Sequence, residues 1–168
     1  MRRTIALLIA LLVITSGISA FAVPNSVAYS STRDFLTVLD NESIRYSYDG
    51  IDNDNDERVK VSYSLDDTKI TVICFFKEDT KSCSMRVWNF IDYEASDANQ
   101  VIQTLDQLNS KYRWVKFYSD ASDNSVTVSL DAVFRNNDVG EICRECLRHI
   151  VNICDDCYTI LKPYNKNA

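Results

Sequence analysis

Between Ile44 and Tyr93 the chain runs through four segments of strand-like alternation, and the connections between them are too short for a helix. Ile44-Arg45-Tyr46-Ser47-Tyr48 alternates apolar and polar residues and stops at Asp49-Gly50. Val59, Val61 and Tyr63 share one face of the next segment. Ile70 to Phe76 is a β-branched and aromatic run of the kind that fills a central strand, and Met85 to Tyr93 follows after a turn at Glu78 to Ser82. Parallel neighbours need a crossover of a dozen residues or more, so these four segments must pair as antiparallel neighbours. A sheet built this way has an apolar face to cover, and the flanking sequence supplies helices to cover it.

Three segments carry helical spacing. Phe35, Leu36 and Leu39 recur after Ser31 or Thr32, either of which suits an N-cap. Val101, Ile102, Leu105 and Leu108 form a stripe after Ser96 or Asp97. Asp138 and Glu141 have the spacing of a capping box and open a long last helix that Pro163 ends near Leu161. Before that helix, Trp114 to Tyr118 and Val126 to Leu130 form a hairpin around Asp120 to Asn124. The expected order is α-β-β-β-β-α-β-β-α, an α+β fold with helices packed on one antiparallel sheet.

The N-terminus reads as an address. Arg2 and Arg3 precede an unbroken apolar run from Ile5 to Ile14, and Ala20-Phe21-Ala22 has the small-x-small form of a signal-peptide cleavage site. The run is short for a span, which needs about 20 apolar residues, although extension to Val23 would let an uncleaved segment serve as an anchor. Residues 1–22 are therefore expected to be a signal peptide cut after Ala22. Residues 23–30 would then be a flexible tail, 31–163 a single domain and 164–168 a second tail. The protein is expected to be secreted or held in the cell envelope, without stable membrane insertion once cleaved.

Removal of Arg2 and Arg3 takes the 18 basic residues to 16 against 24 acidic ones, a charge of −8. Such a domain repels phosphate backbones, which argues against nucleic-acid partners. After residue 22 the only glycines are Gly50 and Gly140, which leaves no glycine-rich phosphate loop.

Chemistry has few places to reside. Cys143-Arg-Glu-Cys146 and Cys154-Asp-Asp-Cys157 resemble a paired zinc-ligand array. On a continuous helix, however, Cys143 and Cys157 stand about 21 Å apart, while one tetrahedral zinc needs its sulfurs about 2.3 Å away. At 100° per residue, Cys146, Cys154 and Cys157 fall within about 60° of Cys143, on the stripe of Val139, Ile142, Ile150 and Leu161. Export and an even count favour disulfides, either within each i, i+3 pair or between Cys74 and Cys83 or from these to the last helix. The alternative is a row of free thiols acting as small apolar side chains. A thioredoxin-like dithiol is disfavoured, because Cys143 lies inside the helix beside Glu141 and Glu145. No metal and no cofactor is expected.

The acidic turn Asp52 to Glu57 fails as a calcium loop: Glu57 stands where glycine is required and Tyr63 where a bidentate glutamate belongs. His149 is the only histidine and has no partner suggested by the sequence, so nucleophilic triads are disfavoured and no enzymatic activity is expected. Tyr112, Trp114 and Tyr118 read first as packing residues and second as the lining of an aromatic groove.

The segment Leu108-Asn109-Ser-Lys-Tyr112, Trp114-Val-Lys-Phe-Tyr118, the Asp120 to Asn124 turn, Val126 to Leu130 and the closing helix resembles the YbjN family. The N-terminal helix followed by Ile44-Arg-Tyr and an acidic turn extends the resemblance over roughly residues 31 to 161. It implies a fold like that of the type III secretion chaperones, small α+β domains that commonly dimerise and bind extended segments of other proteins. It implies no catalytic residues. The expected function is thus an exported, non-catalytic protein-binding domain, self-associating or chaperone-like. The alternative is a thiol redox or metal protein acting through the two Cys-x-x-Cys pairs.

Overall fold

The computed structural model describes residues 22–79, 81–135 and 138–168. The expected signal peptide, apart from Ala22, lies outside the described residues. Helix α1 (Ser30–Asn41) precedes strands β1 (Ser47–Ile51), β2 (Glu57–Ser64), β3 (Lys69–Phe76) and β4 (Ser82–Asp92). A 3₁₀ turn at Ala95–Asp97 leads into α2 (Ala98–Lys111). Strands β5 (Lys116–Asp120) and β6 (Ser125–Val133) then precede α3 (Val139–Leu161) and a closing 3₁₀ turn at Lys162–Tyr164. The α+β class and the element order are those expected from the sequence.

The six strands form one antiparallel sheet in the order β1-β2-β3-β4-β6-β5. The second hairpin therefore docks through β6, leaving β5 at the edge. Alternation sorts the side chains: Val59, Val61, Val72, Cys74, Met85, Val87, Val126, Val128 and Leu130 face the helices and are buried. On α3, Leu147, Ile150 and Leu161 are fully buried at helical spacing, each contributing about 1.5–3 kcal/mol relative to exposure. Phe35 of α1 packs on Phe76 of β3 with ring centroids 5.3 Å apart. Among the described residues the opposite sheet face has no helix on it. There Phe75 and Trp88 meet edge to face at 5.5 Å, and Trp88 remains 50 % exposed.

Several local expectations need correction. Strand β1 passes through Gly50 rather than ending at it, because Gly50, at φ +83°, closes a bulge between Tyr48 and Gly50 and pairs with Arg58 of β2. The turn comes later, where the Asp52 N–H donates to the Asp56 carbonyl. A second bulge at Asn89, φ +49°, places the consecutive residues Phe90 and Ile91 both in the core, where Phe90 touches Phe117 and Tyr158.

The helix caps also differ. α1 starts at Ser30 with Tyr29 as its N-cap, and the hydroxyls of Ser31 and Thr32 are buried without partners. Neither Asp97 nor Asp138 caps with its side chain, and Asp138 takes φ +61°, so the capping box does not form.

The segments expected to be loose tails are tied down. Val27 is buried, and the fully buried Glu57 carboxylate accepts from the N–H groups of Ala28 (2.6 Å) and Tyr29 (3.1 Å) and the Tyr48 hydroxyl (2.6 Å). At the other end, the Lys166 N–H donates to the Asp92 carbonyl and the Asn167 amide to its carboxylate. A buried acceptor that loses its donors carries a large desolvation cost, which is why the Glu57 contacts hold the N-terminal segment in place.

Candidate binding surface

β6 is longer than its edge partner. β5 pairs with it from Ser125 to Ser129, while β4 pairs with it as far as Val133. Among the described residues, Leu130–Val133 therefore has a strand on one side and none on the other. The Phe134 N–H donates to the Lys81 carbonyl on the β4 side (2.9 Å). Backbone groups alternate along an antiparallel strand, so the N–H and C=O of Asp131 and Val133 point to the open side.

A cavity of about 390 Å³ lies along this edge. It touches four consecutive residues, Leu130 to Val133, whose side chains alternate between the two sheet faces, so the cavity runs along the strand's edge. Its far walls are Trp114, which precedes β5, and Ile142, Cys146, Arg148 and His149 on α3. Val133 is 82 % exposed, Trp114 63 % and Ile142 36 %. Large apolar side chains gathered along a concave strand edge mark an interaction site more than a chance exposure. The rim charges are internally matched: Arg86 pairs with Asp131 at 2.8 Å, and Arg148 with Glu145 at 2.6 Å.

The three aromatics grouped from sequence go to three places. Trp114 lines this groove. Tyr112 is half-buried at the end of α2, and burial raises its pKa. Tyr118 lies on the helix-free sheet face opposite Thr127. The single aromatic groove expected from Tyr112, Trp114 and Tyr118 is thus not formed. Val133 was missed, because β6 was expected to stop at Leu130, and Ile142 was expected on the core-facing stripe of the last helix but is 36 % exposed at the groove. The continuing alternation of Leu130, Ala132 and Phe134 is the sequence signal that could have extended β6.

All six cysteines are free thiols, which corrects the expectation of disulfides. α3 runs unbroken past both Cys-x-x-Cys pairs, so each pair lies along a regular helix, with Cys143, Cys154 and Cys157 buried. Cys83 of β4 neighbours Cys74 of β3 and Cys143 of α3. Burial, followed by these neighbours, drives its pKa well up. Cys146 reaches the groove half-buried, with its pKa pushed to about 11 by burial and then by the nearby Cys143 and Cys74. Thiolates are the reactive and metal-binding form, so this packing suppresses both chemistries. Among the described residues no group of three or more histidine, cysteine or acidic side chains is arranged to hold a metal ion.

The acidic turn is occupied by its own backbone. The Asp52 carboxylate accepts from the N–H groups of Asp54 and Asp56, Asp56 pairs with Lys77, and Glu57 points into the core. Asp52 is held below the usual carboxylate range, chiefly by the Asp56 N–H.

No family model matches the chain, and no curated protein matches it. Among solved structures the chain is similar to the crystal structure of YbjN from E. coli, described as "a putative transcription regulator". The TM-score is 0.51 at 10 % identity, over 74 % of this chain and 88 % of that one. The likeness is one of fold, and it agrees with the resemblance carried by Leu108-Asn109 and the hairpin that follows.

Proposed function

We propose that this chain is a non-catalytic protein-binding domain that works outside the cytoplasm. The observation that carries this reading is the apolar groove of Trp114, Val133 and Ile142 along the unpartnered end of β6. Its walls supply apolar surface and backbone hydrogen-bonding groups but no activated nucleophile, which suits recognition rather than turnover. The excess of acidic over basic residues weighs against reading the chain as a nucleic-acid binder, whatever the description of its structural neighbour. The redox alternative loses support from the burial of Cys143, Cys154 and Cys157 and from the raised pKa of Cys146.

Site-specific photocrosslinking tests the proposal. A photoreactive side chain at position 114 should capture a discrete protein partner in intact cells, whereas one at the also exposed Ile51 or Ile102 should not. Equal labelling from all three positions would sink the reading. Fractionation of the same cells tests the location: recovery of the protein with its N-terminal segment intact in the cytoplasm would remove the export half of the proposal.

A further inference from the structure

The two most exposed large apolar side chains of the described residues, Val133 at 82 % and Trp114 at 63 %, stand at one corner of the molecule, on the rim of the groove. Cations collect around them. Between Asp106 and Asp120 the chain carries no acid, and there Arg113 stacks on the Trp114 ring at 4.8 Å while Lys116 opens β5. The exposed Arg135 follows Val133 two residues on. Among the described residues none of these three cations has an acidic partner. The two acids at the groove, Asp131 and Glu145, are already paired with Arg86 and Arg148. Five cations against two acids give this corner a charge of +3, whereas the other 11 basic and 22 acidic residues after residue 22 carry −11. Charge acts over only about 8 Å at physiological salt, so a surface meeting the corner reads its positive charge and not the net charge of the chain.

We infer that this corner rests on an anionic lipid bilayer, with Trp114 and Val133 at the headgroup boundary and Arg113, Lys116 and Arg135 against the lipid phosphates. Tryptophan settles at that boundary because its ring is apolar and its N–H is polar, and each nearby cation is drawn to the anionic headgroups. The contact is peripheral and reversible: among the described residues no helix is long and apolar enough to cross a membrane. It goes beyond the protein-binding reading and does not depend on it, since the rim meets the lipid whether or not the groove holds a polypeptide.

Other occupants match the corner less well. A nucleic acid would engage the cations but leave Val133 and Ile142 against a polar backbone. Residues 1–21 carry two arginines and no acid, so their charge has the same sign as the corner's. Two copies meeting corner to corner would bring like charges together. One copy's corner against an acidic face of the next is a head-to-tail contact, which builds open chains unless the rotation closes. A bilayer offers both phosphates and an apolar interior to one small patch.

The test uses the full chain carrying Trp88→Phe, which leaves Trp114 as the only tryptophan. Its emission reports position 114 itself, so attachment to lipid through residues 1–21 does not register. Mixed phosphatidylglycerol–phosphatidylcholine vesicles should shift that emission to the blue, and brominated acyl chains should quench it. Phosphatidylcholine vesicles should do neither. Arg113→Gln with Arg135→Gln should raise the lipid needed for a half-maximal shift by about tenfold or more. Lys69→Gln with Lys166→Gln, an equal loss of charge at exposed positions elsewhere, should leave it unchanged. If the arginine variant fails to fold, the comparison of anionic with neutral vesicles decides.

Equal shifts with anionic and neutral vesicles, or no shift with either, would overturn the inference. So would a shift that the two arginine substitutions leave unchanged. Tighter binding of a single-stranded oligonucleotide, or self-association in sedimentation that already buries Trp114, would overturn it in favour of those partners. None of these outcomes bears on whether position 114 captures a protein in cells, so the two proposals fail separately.

Discussion

Gly140 sits directly against the Asp34 carbonyl: a Cβ on Gly140 would lie 2.5 Å from the Asp34 oxygen and 2.9 Å from the Val38 methyl. The first turn of α3 therefore meets α1 backbone to side-chain stub, at a distance only glycine allows. Arg144 and Glu42 pair at 2.5 Å one turn further along the same contact. One of the two glycines after residue 22 is thus spent on helix packing, and the other on the β1 bulge.

Gly140→Ala should destabilise the fold by about 1–3 kcal/mol, since the clash is with backbone that cannot rotate away. Chemical denaturation should show a lower midpoint at unchanged slope. An unchanged midpoint would mean that α1 and α3 slide apart at no cost.

Asn109 clamps α2 to β5 with both ends of its amide, accepting from the Phe117 N–H (2.8 Å) and donating to the Phe117 carbonyl (2.7 Å). Beside it Leu108 is buried, so the Leu-Asn pair anchors and pairs at one point. Asn109→Ala should cost about 1–3 kcal/mol, because two partly buried backbone groups lose their partner. Amide exchange at Phe117 should accelerate more than at Val59; uniform acceleration would show that the clamp is not local.

Glu57 joins three donors from two other segments. Glu57→Ala should cost more than Tyr48→Phe, which leaves the carboxylate with its two backbone donors. The expected losses are about 2–4 against about 1 kcal/mol. The Ala variant should also become open to proteolysis between Ala22 and Ser30. Resistance equal to the parent would show that Val27 alone holds the segment.

The thiols predict an alkaline limit. The folded state keeps Cys146 protonated up to about 11, and Cys83 beyond the ordinary thiol value. An unfolded cysteine ionises near pH ~8.5. The unfolded state is therefore favoured increasingly as pH rises from ~8.5 to about 11, and stability conferred by the protonated thiols should be full below that window and fall through it. Iodoacetamide at neutral pH should label six cysteines in denaturant and at most Cys146 in the native protein, by mass spectrometry. Rapid native labelling of Cys143 or Cys154 would contradict this packing.

Much of the fold was legible because its signals are local. Strand alternation in Val59–Tyr63 and helical spacing in Leu147–Leu161 each follow from which side chains must avoid water. Short connections forced antiparallel pairing of the first four strands. The caps at Ser31, Asp97 and Asp138 were misread because local hydroxyl and carboxyl chemistry gave way to tertiary contacts: Glu57 sets where α1 begins, and α1 sets how α3 starts. The two bulges, at Gly50 and Asn89, were missed for the same reason, since a bulge answers to the partner strand.

The site was legible only in fragments. Trp114 was marked from its aromatic character, but its companions lie on β6 and α3, and no spacing rule links positions 114, 133 and 142. The sequence by itself determined the class of fold and the apolar stripes, because periodicity and composition encode burial directly. Only the tertiary structure decided that β6 enters between β4 and β5. That insertion leaves Asp131 and Val133 beyond the end of the β5 pairing and brings Trp114 and Ile142 beside them. Sheet order is set by which long-range pairings bury the most surface together, a quantity that no single segment carries.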